Sequence, residues 1–80
     1  MLVIILDSCN NQTPLEIEAS EKVSDLIFKL RKKRGINSKI ILHYGGKILK
    51  ENDQIQKYEI EDQSQIVYIG TFLSGLFKFK

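Results

Sequence analysis

Eighty residues with 42% hydrophobic and 28% charged side chains and one proline describe a single ordinary globular domain, not a disordered chain. A chain of this size buries only about 60% of its unfolded surface, so one small core has to hold it. The lone Cys9 forms no internal disulfide, and no histidine or second cysteine stands beside it for a metal site, which points to a reducing compartment: cytoplasm, nucleus or both.

The apolar run from Leu2 to Leu6 is too short for a signal core and lacks a basic flank, and no stretch approaches the roughly 18 apolar residues that span a bilayer. The expectation is a protein that is neither secreted nor membrane-spanning. The net charge of +2 is unevenly placed: residues 22–50 hold nine of the twelve basic residues against the single acid Asp25, and residues 51–65 hold five acids against Lys57. A basic side and an acidic side suit steering toward a charged protein surface. Nucleic acid would call for a larger positive excess with interleaved aromatics.

In chain order, Met1 to Leu6 reads as a strand with Val3 and Ile5 on one face and Leu2, Ile4 and Leu6 on the other. Both faces are apolar, which marks a strand covered on two sides. Ser8 to Gln12 supplies Asn10 and Asn11, which tolerate the positive φ of a hairpin tip, and Cys9 at that tip carries no evident chemistry. A second strand follows through Leu15 to Glu18 from a start at Thr13-Pro14, where a proline without an N–H belongs on a sheet edge. Val23, Leu26, Ile27 and Leu30 recur at helical spacing, so one stripe of a helix from Val23 to Gly35-Ile36 faces the core. Lys29, Arg31, Lys32, Lys33 and Arg34 crowd its last turns, where the dipole favours cations, and Gly35 offers a left-handed C-cap. Phe28 lies off the core stripe.

Leu42 to Leu49 reads as a strand, a turn at Gly45-Gly46 and a second short strand. It is no phosphate-binding loop, because Lys47 is followed by Ile48 instead of serine or threonine at the start of a helix. Tyr58-Glu-Ile60 and a last apolar strand, Ile66 to Ile69, complete the pattern. His43 is the single histidine, the serines have no marked base partner, and Glu59, Glu61 and Asp62 form a solvated face, so nothing points to an enzyme or to a cofactor.

Strand, edge strand, amphipathic helix, strand with a Tyr44-Gly-Gly-Lys-Ile-Leu49 turn, and Tyr58 with Ile60 as a tyrosine corner and core isoleucine together resemble the ubiquitin superfamily over residues 1–70, with one residue missing near Asn37. The resemblance implies an α+β β-grasp roll in which a mixed four- to five-stranded sheet packs on one helix, followed by a hydrophobic and basic tail, 71–80. It also implies a protein-binding patch on the outer sheet face, here Leu2, Ile4, Leu6, Ile41, His43, Val67 and Ile69. His43 replaces the isoleucine at the patch centre, which weakens the fit to the usual helical ubiquitin receptors. Leu2, Leu6, Ile41 and Val67 replace polar or charged residues of the family, so the patch is larger and more apolar. Exposing half of it would leave several hundred Å² open, more than a soluble monomer comfortably shows, so a partner, a second copy or the tail is expected to cover it. Covering it is worth roughly several kcal/mol before association costs.

Two functions follow from the resemblance. One is a non-catalytic docking domain for other proteins, such as components of the ubiquitin and proteasome pathway or the rest of a larger assembly. The other is a modifier conjugated through Gly75 after removal of residues 76–80. Phe72 and Leu73 are not the basic pair such a tail carries, and one terminal glycine is missing. Lys29, Lys33 and Lys47 fall at or near the family's chain-accepting lysines, or are ordinary surface lysines. Phe72, Leu73, Leu76, Phe77 and Phe79, with Lys78 and Lys80, could instead pack the tail on the sheet or on a partner. Two lysines on a short segment give little membrane anchoring.

Overall fold

The computed structural model describes residues 1–70. Five strands form one mixed sheet: β1 (Leu2–Leu6), β2 (Gln12–Glu16), β3 (Ile40–Tyr44), β4 (Lys47–Ile48) and β5 (Ser64–Gly70). A single helix, α1 (Val23–Arg34), follows β2, and a 3₁₀ turn, Ile55–Tyr58, precedes β5. The sheet order is β2-β1-β5-β3-β4, with β1 and β5 parallel at the centre and every other pair antiparallel.

Alternation along the strands decides what is core. Val3 and Ile5 of β1, Leu42 of β3 and Ile66 of β5 point inward and are essentially fully buried against Val23, Leu26, Ile27 and Leu30 of α1. The helical period therefore predicts the buried stripe correctly, and the helix stops where predicted. Gly35 adopts φ 66° and its N–H returns to the Arg31 carbonyl, a left-handed cap that a Cβ would strain. At the other end Asp25 accepts the Lys22 N–H at 3.0 Å, which satisfies one of the donors a helix start leaves open.

The basic run at the helix end is largely absorbed by the fold. Arg31 donates to the carbonyls of Ile36 and Ser38, at 3.2 and 2.8 Å, and so ties the helix end to the approach to β3. Arg34 donates to the Thr13 hydroxyl at 2.7 Å and to Asp7 at 3.2 Å. Asp7 organises the β1–β2 tip: its carboxylate accepts from the backbone N–H groups of Cys9 and Asn11, both at 2.9 Å. The Asn11 N–H contributes most to holding the Asp7 carboxyl below its usual pKa, against partial desolvation. Asn10 takes the positive φ, 65°, that the tip sequence called for.

Strand bounds differ in detail from the sequence reading. β2 starts at Gln12, one residue before the expected start at Thr13, and ends at Glu16, two residues short of Glu18, although Ile17 remains buried and its N–H still reaches the Met1 carbonyl at 2.9 Å. Tyr58 closes the 3₁₀ turn and accepts the Lys50 N–H at 2.9 Å while donating to Asp53 at 2.7 Å, the structural corner role expected of it. That hydroxyl is the leading reason the Asp53 carboxyl sits below its usual pKa, with Lys57 adding to it.

Candidate docking surface

The face of the sheet turned away from α1 is built by the residues that alternate with the core. Cross-strand register places Leu6 of β1 opposite Val67 of β5, Val67 opposite His43 of β3, and His43 opposite Ile48 of β4. One row of four side chains thus crosses four strands, about 14 Å from end to end at the usual strand spacing. Ile41 and Ile69 form the next pair on one side, and Ile4, between Pro14 and Gln65, extends the patch on the other. Leu2, opposite Glu16, lies at its margin, with its N–H bonded to Asp62 at 2.7 Å.

The structure therefore brings all seven sequence-derived residues onto one face, but it does not expose them equally. Val67 is 43% exposed, and Leu2, Ile4, Leu6, Ile41, His43 and Ile69 are half-buried. Ile48, 60% exposed, is the member that the sequence reading missed. Its signal was present: Gly45 and Gly46, with φ of 60° and 79°, make the two-residue turn that pairs Tyr44 with Lys47 and hence His43 with Ile48.

The β2 edge of the sheet offers less. Ile17 faces β1 with its backbone groups, so alternation turns those of Glu16 and Pro14 outward from the β2 edge. Pro14 has no N–H to offer there, and the outward Glu16 carbonyl accepts from Lys29 Nζ at 2.9 Å. Phe28, 61% exposed on the helix as its position implied, stands under Lys32 Nζ, 5.7 Å from the ring centroid.

Of the lysines named from the resemblance, Lys29 is engaged with Glu21 and the Glu16 carbonyl, and Lys33 and Lys47 are exposed. Cys9 is a free, exposed thiol at the hairpin tip. Among the described residues, no three His, Cys, Asp or Glu side chains come together as a metal-holding group. Gly75 and the other tail residues, 71–80, lie outside the described residues.

A five-stranded mixed sheet of this order on one helix is the β-grasp of a ubiquitin-like domain. The family profile described as "Ubiquitin-2 like Rad60 SUMO-like" matches residues 1–69, and the chain belongs to that family. A comparison with curated proteins gives no match.

Proposed function

We propose that this domain is a non-catalytic docking module that binds another protein through the outer sheet face. The observation that carries the reading is the unbroken Leu6–Val67–His43–Ile48 row, apolar but for one imidazole, with two of its four members, Val67 and Ile48, exposed to solvent. Such a face offers little to a small molecule, which prefers a concave site, and much to a complementary protein surface with an apolar centre and polar rim. Gln12, Glu16 and Gln65 supply the polar rim along β2 and β5.

The test is a photo-crosslinking amino acid placed at Val67 and, as a control, at Phe28 on the opposite side. Adducts to one protein from position 67 and not from 28 support the reading. Introducing Val67→Glu or Ile4→Glu, each shown folded by circular dichroism, should then weaken that complex about 30-fold, the effect of losing a hot spot of about 2 kcal/mol. Capture that survives both charges unchanged overturns it.

A further inference from the structure

We propose that residues 71–80 dock back on their own domain, filling a groove at the open end of β3 with Leu76 and Phe77. The groove, about 440 Å³, is floored by Ile40, Ile41, Ile48 and Leu49 and rimmed by Lys39, Lys50 and Glu51. It exists because β4 is only two residues long: past Ile48, β3 loses its outer neighbour. The Leu49 N–H still reaches the Leu42 carbonyl at 2.8 Å, so the alternation of backbone groups directs those of Ile40 the same way, into the groove. The far wall is held in place by α1, since the Glu51 and Asp53 carbonyls accept the N–H groups of Ser24 and Val23 at 3.0 and 2.9 Å. The groove is thus preformed, with an apolar floor and a lip, Ile48, that is 60% exposed.

Continuity, reach and composition select the occupant. β5 ends at Gly70, whose partner across the sheet is Ile40, itself part of the groove floor. From there the groove is about two strand spacings away, roughly 10 Å. Ten residues extend up to about 33 Å, so 71–75 suffice to cross the end of β3, with Ser74-Gly75 as the turn. Phe72, Leu73, Leu76, Phe77 and Phe79 supply the apolar side chains that such a floor takes. Ile41 and Ile48 also belong to the docking face proposed above. On that reading, a partner lying across the His43 row competes at one end with a segment whose effective concentration is of millimolar order.

The test uses the full chain, residues 1–80, with isotope-labelled isoleucine methyls and phenylalanine rings, by nuclear magnetic resonance without any partner. The expected result is nuclear Overhauser contacts from the Phe77 ring to the methyls of Ile40, Ile41 and Ile48. A Leu76→Ser, Phe77→Ser variant should lose them and shift those methyls while leaving Ile4 and Ile5 in place. The proposal is overturned if the Ile41 and Ile48 methyls are indifferent to the variant. It also falls if the ring contacts arise only between differently labelled copies, or fall on Leu2 and Ile4 instead. The measurement reports on the groove whether or not a protein binds the sheet, so it fails independently of the crosslinking at Val67.

Discussion

Ile66 and Val67 are neighbours on the central strand β5, pointing to opposite sides of the sheet, and replacing each with alanine separates core from docking face. Ile66 is 0% exposed and packs under α1, whereas Val67 is 43% exposed in the outer row. Both substitutions sacrifice the same β-branched strand preference, at most about 1 kcal/mol, so that cost cancels in the comparison. Ile66→Ala also removes fully buried methyl groups and leaves a cavity, for a loss of about 2–5 kcal/mol. Val67→Ala gives up two methyl groups already half in water, about 0.5–1 kcal/mol. A domain of this size holds about 4–12 kcal/mol in all. Ile66→Ala should therefore lower Tm by about 10–25 °C and Val67→Ala by about 5 °C or less, followed by circular dichroism with urea unfolding to check two-state behaviour. Equal losses for the two would show that Val67 is packed as firmly as the core in the free protein, and the outer face would cease to be an open surface.

Further outcomes follow from the contacts around the site. Tyr58→Phe removes the hydroxyl that joins Asp53 to the Lys50 N–H and should lower Tm by about 5 °C while the Asp53 carboxyl titrates closer to its usual value. The Asp7 carboxyl is held low in the fold, so the stability it contributes is present above the ordinary carboxylate pKa and is lost as pH falls below about 4 through its folded value; Asp7→Asn should flatten that part of an acid-unfolding curve. Phe28→Ser, opposite the sheet face and outside the core stripe, should change stability by no more than about 0.5 kcal/mol and leave protein capture intact. In cells, the docking reading expects intact-mass measurement to find chains that retain Leu76 to Lys80, and Gly75→Ala to leave any high-mass adducts unchanged; a chain ending at Gly75 would favour the modifier.

The parts of this structure that were legible in the sequence are those governed by local periodicity. Val23, Leu26, Ile27 and Leu30 declare their stripe within two turns, and Val3 and Ile5 against Leu2, Ile4 and Leu6 declare two faces within five residues. Which of those faces is core, however, depends on where α1 packs, and the family resemblance supplied that choice. Ile48 was missed because its place depends on the register of a two-residue turn, not on its own apolar character. The destinations of Arg31 and Arg34 were equally hidden: their partners lie 5 to 27 residues away, and only the tertiary fold brings Asp7, Thr13, Ile36 and Ser38 to the end of the helix.

Those long-range contacts bear on where a partner can approach. A basic helix end looks in sequence like a docking surface, but three of its five cations are engaged, Arg31 and Arg34 with neighbouring loops and strands and Lys29 with β2, so their charge is spent within the molecule. The β2 edge, which would invite an added strand, lacks the Pro14 donor and has its Glu16 acceptor occupied. The apolar stripe of α1 is committed to the core. Phe28 stands apart from the outer apolar patch, its ring beneath Lys32. The outer sheet face differs from each of these in that its apolar side chains adjoin across four strands and include Val67 and Ile48, the two large apolar residues besides Phe28 that remain exposed among the described residues. Desolvating those two removes apolar surface from water without breaking a hydrogen bond the fold needs, and that asymmetry, more than the area alone, favours this face as the place where binding energy is gained.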